Sequence, residues 1–175
     1  MRILVAVASR YGSAREIALA IARTLRATGH AVDVQDAAAV GDLAPYEAIV
    51  LGSAIYNQAW LTEFAALLRR HAEALAARPV WLFSVGSLSS ERGWPWGALA
   101  RREPRGIGVV LAAIRPRDYH VFAGAVAPQR VGRVGRLAYT LLYGRCGDER
   151  DWREVATWAE RIARELPVPA AVPPR

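Results

Sequence analysis

Ile3-Leu4-Val5-Ala6-Val7-Ala8 is an unbroken apolar run that stops at Ser9-Arg10. So short and continuous a run predicts a central parallel strand, covered on both faces. It is followed at once by a stretch from Ala14 to Thr28 in which Ile17, Ile21 and Leu25 make one apolar stripe, with Gly29 as the stop. That spacing predicts a first helix. The same alternation continues. Ala31-Val32-Asp33-Val34-Gln35 reads as a half-buried strand, and Ala48-Ile49-Val50-Leu51, ending at Gly52-Ser53, as a third strand. Leu61, Phe64, Leu68 and Leu75 keep helical spacing, and Pro79 opens the strand Val80-Trp81-Leu82-Phe83. A helix between Gly97 and Ile114, a strand from Tyr119 to Val126 and a last helix from Asp151 to Leu166 complete the pattern, with Trp152, Val155, Ala159 and Ile162 expected inward.

Strands and helices in such alternation argue an open, doubly wound α/β sandwich. A ligand of that architecture sits beyond the carboxyl ends of the strands. Here those ends are Ser9 to Ser13, Ser53 to Trp60 and Val85 to Trp96, all rich in small, hydroxyl or aromatic residues. With 175 residues, 53% of them hydrophobic and 22% charged, the chain is an ordinary globular one of single-domain size. The expected domain spans 1–166, with an insertion at about 127–150 and a proline-rich tail at 167–175.

Cys146 is the only cysteine, so an intrachain disulfide, a CxxC pair and a cysteine-rich zinc site are all excluded. A reducing cytoplasm is the expected location. The opening apolar run is too short for a signal peptide or a membrane span.

The 23 basic residues are all arginine and outnumber 16 acids, for a net charge of +7. Most of the excess falls between residues 101 and 150, where ten arginines face four acids. Such a patch suits nucleic acid phosphates, anionic lipid headgroups, an acidic small molecule or a solvated surface, and net charge does not choose among them. Gly132-Arg133-Val134-Gly135 has the GxxG form of a nucleic-acid loop, but without the surrounding fold it carries no such assignment, and no nucleic acid partner is expected. Within the insertion, Val134, Leu137, Ala138, Leu141 and Leu142 can form one apolar stripe flanked by Arg130, Arg133, Arg136 and Arg145. This is the pattern of an interfacial helix, and equally of a helix packed on its own domain.

The loop Ser9-Arg10-Tyr11-Gly12-Ser13-Ala14 joins a strand directly to a helix, which brings hydroxyls and backbone N–H groups to a helix amino terminus. That is a phosphate cradle. There is no GxGxxG after the first strand, no GxxxxGK[ST] and no lysine for a P-loop, so dinucleotide and ATP sites fall away. A receiver domain needs a phosphorylatable Asp where this chain has Gly52-Ser53.

Ser9 to Ala14 resembles the flavodoxin phosphate motif [ST]-x-T-G-x-[ST]. Within that superfamily the chain is similar to the menaquinone-dependent protoporphyrinogen IX dehydrogenase family. Ser9 to Ala18 resembles its TRDGQTREIA-like opening, and Leu51-Gly52-Ser53-Ala54-Ile55-Tyr56 its second loop. Phe122-Ala123-Gly124-Ala125 is similar to its fifth strand, and Asp151-Trp152-Arg153-Glu154-Val155 to its DWEQV-like last helix. The resemblance implies a flavodoxin-like three-layer α/β sandwich whose five-stranded parallel sheet has the order 2-1-3-4-5, with the insertion after or within strand five.

It further implies FMN as cofactor, its phosphate held by Ser9, Arg10, Gly12 and Ser13, with Tyr11 at a variable position. Ala14 departs from the motif's hydroxyl, a loss of about one hydrogen bond to a charged group, on the order of 1.5 to 3 kcal/mol. Ala54, Ile55, Tyr56, Asn57 and Trp60 would border the isoalloxazine ring from one loop, and Gly86, Ser87, Leu88 and Ser89 from another. Tyr56, Trp60 or Trp94 either stacks on the ring or caps the sheet. The stretch from Ser87 to Arg105 matches the family poorly and is read as a lid or a surface excursion.

The resemblance also implies an FMN-dependent oxidoreductase that oxidises a porphyrinogen and passes electrons to a quinone or protein acceptor. Arg130, Arg133, Arg136, Leu137 and Leu141 would then meet the acceptor or an anionic membrane surface, making the protein peripheral at the inner face. A basic surrounding suits such an oxidase better than a low-potential shuttle. The alternatives are a flavodoxin-type electron carrier and a non-catalytic binding module that has lost FMN. His30, His71 and His120 offer no evident acid or base, and the flavin would carry the chemistry.

Overall fold

The computed structural model describes residues 1–56, 58–86, 104, 106–125 and 148–167. Five strands form a parallel sheet: β1 (Arg2–Ala8), β2 (Ala31–Asp36), β3 (Ala48–Tyr56), β5 (Val80–Gly86) and β6 (Asp118–Ala123), in the order β2-β1-β3-β5-β6. A two-residue strand, β4 (Ala59–Trp60), folds back antiparallel on the end of β3. The expected order is therefore observed, with β4 as an addition. Gln58 enters that hairpin at φ 61°, a turn that the apolar pattern did not signal.

Alternation along β1 divides the core between two faces. Ile3, Val5 and Val7 pack with α1 (Ser13–Ala27) and α5 (Trp152–Glu165), whereas Leu4, Ala6 and Ala8 pack with α2 (Thr62–Arg70), α3 (Ala72–Ala76) and α4 (Ile107–Ile114). Side chains on both faces of β1, β5 and the first six residues of β3 are buried, which is why these strands read as continuous apolar runs. Gly52 sits where a Cβ would run into the ring of Phe83 on the neighbouring strand. This close approach requires glycine in the middle of β3.

Two expectations need correction. The apolar spacing from Leu61 to Leu75 predicts one helix, but the chain breaks it at His71, which has φ −116° and separates α2 from α3. Arg70 next to the break sends Nη2 to the Val40 carbonyl at 2.6 Å, an interaction with a distant loop that periodicity does not encode. In α5, Trp152 is 42% exposed rather than inward, and Trp158 is the tryptophan in the core. Trp152 occupies the first turn beside the cap, where Asp151 Oδ1 accepts from the Arg153 and Glu154 N–H groups at 2.8 and 3.1 Å. Val155, Ala159 and Ile162 are buried as expected.

Register aligns the upper ends of the strands. Ala8 pairs with Ser53, Ser53 with Ser84 and Ser84 with Val121, so one row crosses the sheet from β1 to β6. Every loop of interest begins just above that row. Among the described residues no helix is long and apolar enough to cross a membrane.

Candidate functional site

The loop from Ser9 to Ser13, the candidate phosphate loop, is built by backbone geometry. Gly12 caps α1 at φ 94°, a left-handed conformation that costs glycine little and other residues much. Its N–H donates to Ser9 Oγ at 3.1 Å, which curls the loop back on itself. Among the described residues no side chain caps the first turn of α1, whose leading N–H groups have no partner within the helix. That arrangement, with the positive end of the helix dipole behind it, fits an anion.

Ser13 and Ala14, at the start of α1, are placed differently. The hydroxyl of Ser13 accepts from the Ala125 N–H at 3.0 Å, and so joins the start of α1 to the end of β6. Ala14 is fully buried in the core. The methyl group that departs from the motif is thus a packing group beneath the cradle.

The second loop brings aromatic rings to the rim. Tyr11 and Tyr56 lie 5.7 Å apart between centroids, and Arg10 stands over both, 5.7 and 5.4 Å from their rings. Tyr11 is half exposed. Ala54 and Ile55 are partly buried on the rising end of β3. Trp60 is turned inward, with Nε1 donating to Ser84 Oγ at 2.8 Å and its ring edge-on to Phe64 at 5.2 Å. Of the two described aromatics considered for stacking, Tyr56 is the one beside the phosphate loop. Gly86 ends β5 on the same edge of the sheet, partly buried. Asn57, Ser87, Leu88, Ser89 and Trp94 lie outside the described residues, as do Arg130, Arg133, Arg136, Leu137 and Leu141.

A fourth segment, the end of β6 and its return, completes the rim. Ala125 bridges to Asp148, and the Glu149 N–H donates to the Gly124 carbonyl at 3.2 Å. Arg150 then reaches Glu16 in the first turn of α1 at 2.6 Å. Glu16, Asp148 and Arg150 were not anticipated as site neighbours. Glu16 and Arg150 are 134 positions apart, and only the sheet order brings them together.

The histidines stand away from this rim. His30 is buried after α1 with Nδ1 unpartnered, and burial lowers its pKa below the ordinary imidazole value. His71 receives a hydrogen bond from Arg70 Nε at 3.0 Å, and burial, aided by that guanidinium, lowers its pKa as well. His120 on β6 pairs with Glu154 of α5 at 2.9 Å.

Comparison with known proteins agrees with this geometry. A curated relative, the protoporphyrinogen IX dehydrogenase (quinone) of Escherichia coli (strain K12), is 25% identical over 177 aligned residues, covering 93% of this chain and 95% of that protein. Oxidised flavodoxin 2 from Bacillus cereus superposes with a TM-score of 0.61 at 21% identity, covering 95% of this chain and all (100%) of that one. The rubredoxin oxygen:oxidoreductase of Desulfovibrio gigas also reaches a TM-score of 0.61, at 15% identity over 94% of this chain, which spans only 35% of that longer protein. Residues 4–151 match the family model of the flavodoxin domain; the chain belongs to that family, and FMN is thereby implied as its cofactor.

Proposed function

We propose that the protein is an FMN-dependent oxidoreductase that removes electrons from a porphyrinogen and delivers them to a quinone. The observation that carries this reading is the near end-to-end alignment with a protoporphyrinogen IX dehydrogenase (quinone), 93% of this chain against 95% of that protein. The residues present fit the cofactor. An uncapped helix start behind a left-handed Gly12 suits a phosphate, and the Tyr11–Tyr56 pair suits the edge of a flat aromatic system.

In this reading the first-turn N–H groups of α1, Ser9 and Ser13 fix the phosphate end, and Tyr56 borders the ring. Bound FMN supplies the exchange of electrons between donor and acceptor. Arg10, held over both tyrosines, adds a cation at the mouth, which favours an anionic group on an approaching substrate. The hydrogen bond between Trp60 and Ser84 holds the floor beneath the second loop in place.

The basic insertion belongs to the same proposal. Arg130, Arg133 and Arg136, with Leu137 and Leu141, would meet an anionic membrane surface where a quinone is reached. Neutralising the three arginines should then abolish liposome binding and leave flavin binding intact.

The decisive experiment is a visible spectrum of purified protein with and without added FMN, followed by anaerobic assay with protoporphyrinogen IX and a menaquinone analogue. Flavin absorbance with catalytic turnover supports the reading. Flavin absorbance without turnover, but with electron transfer to a protein acceptor, replaces it with an electron carrier. Protein that binds no FMN overturns it in favour of a binding module.

A further inference from the structure

Arg150 is committed on three sides although it stands at the rim of the molecule. Its Nε and Nη2 take the two carboxylate oxygens of Asp148 at 2.7 and 2.6 Å, and Nη1 takes Glu16 Oε2 at 2.6 Å. The guanidinium also lies over the ring of Trp152, 4.6 Å from its centroid, and the side chain is only 10% exposed. The two-pronged bond to Asp148 fixes the plane of the guanidinium, which leaves one N–H edge aimed at Glu16. Asp148 is fixed in turn by its bridge to Ala125, whose N–H holds the Ser13 hydroxyl.

Glu16 is the acid in the first turn of α1, and its own N–H is bonded to the Gly12 carbonyl at 2.9 Å. Its second oxygen, Oε1, lies 3.9 Å from the point that a Cβ on Gly12 would occupy. The carboxylate is therefore beside the backbone of the phosphate loop. There it complements the helix dipole and, left unpaired, opposes any other anion at the same helix end.

Resting on the FMN reading above, we propose that Arg150 is a positioning residue for the phosphate end of the site. By taking Glu16 Oε2 it neutralises this carboxylate and holds it to the side, so that a phosphate meets the first-turn N–H groups of α1 without a competing charge. Ser13 and Arg150 are linked through Ala125 and Asp148, so the hydroxyl and the screened acid are set by one connected group of contacts. Glu16 is more than half exposed, 58% by side chain, so the effect is moderate and weakens with salt.

The test compares two probes, FMN and riboflavin, which share the ring and differ in the phosphate. Both are titrated into the full chain as wild type, Arg150→Met, Arg150→Lys, Glu16→Gln and the Glu16→Gln/Arg150→Met double variant. Arg150→Met should weaken FMN about tenfold while riboflavin stays within about twofold. Arg150→Lys should recover part of the loss, and the double variant most of it. Glu16→Gln alone should bind FMN at least as tightly as wild type, a result that stands even where Arg150→Met misfolds. The FMN difference should shrink as salt is raised.

Equal weakening of both probes, unchanged FMN binding in Arg150→Met, or no recovery in the double variant would each overturn the proposal while wild-type FMN binding keeps the flavin reading intact. Wild-type protein that binds neither probe overturns both.

Discussion

Trp60 Nε1 donates to Ser84 Oγ at 2.8 Å, and the same oxygen receives the Tyr119 hydroxyl at 3.0 Å. One fully buried serine thus ties β4, β5 and β6 together beneath the site. Replacing Ser84 by Ala leaves the indole N–H without its acceptor, a cost of about 1 to 3 kcal/mol. Denaturant unfolding should show that loss, accompanied by a red shift in tryptophan emission as the indole of Trp60 gains water.

The Gly52–Phe83 contact gives a packing prediction. Gly52→Ala forces the Phe83 ring out of its place and should destabilise the protein by about 1 to 3 kcal/mol. Shortening the ring as well, in Gly52→Ala/Phe83→Leu, should cost less than the sum of the two single changes. A double-mutant cycle by chemical unfolding reads the coupling.

His30 makes stability depend on pH. Its folded-state pKa is lowered by burial, so between that value and the unfolded value of about 6.5 the unfolded chain binds the extra proton. The stability contributed by the neutral ring is therefore whole above about pH 6.5 and declines as pH falls through the window below it. His30→Phe should flatten the stability profile below about pH 6.5. A slope that persists in this variant would assign the effect elsewhere.

Tyr56 separates ring recognition from phosphate recognition. If it borders the flavin, Tyr56→Ala should weaken FMN and riboflavin alike, by about three- to tenfold. Fluorescence quenching titrations measure both. The contrast with Arg150→Met, which is expected to act on FMN alone, distinguishes the two ends of one site.

Much of the sheet was legible because its three central strands, β1, β3 and β5, are buried on both faces along most of their length. Ile3 to Ala8 and Val80 to Phe83 have no polar interruption, and such runs leave few alternatives. What escaped notice depends on contacts between distant segments. The break at His71 lies beside Arg70, which reaches Val40, and nothing in the spacing of Phe64, Leu68 and Leu75 records that contact. Trp152 and Trp158 are both compatible with an apolar stripe. Trp158 donates Nε1 to Asp118 at 2.6 Å inside the fold, whereas Trp152 serves as a platform for Arg150. In the candidate site, the Ser9 to Ser13 loop was visible because strand, glycine and helix are consecutive there. The Glu16–Arg150 pair was not, since it exists only once β6 lies beside β5 and α5 returns across α1.

The bridge between Ala125 and Asp148 has a consequence for how this protein can change. The chain leaves the sheet and rejoins it at adjacent points, so doubling the length between them adds only about 0.6 kcal/mol of closure entropy. The two ends of residues 126–147 are thus held beside each other by Ala125 and Asp148. The fold thereby offers a graft point beside the start of α1, where a segment of a different length is closed at little entropic cost.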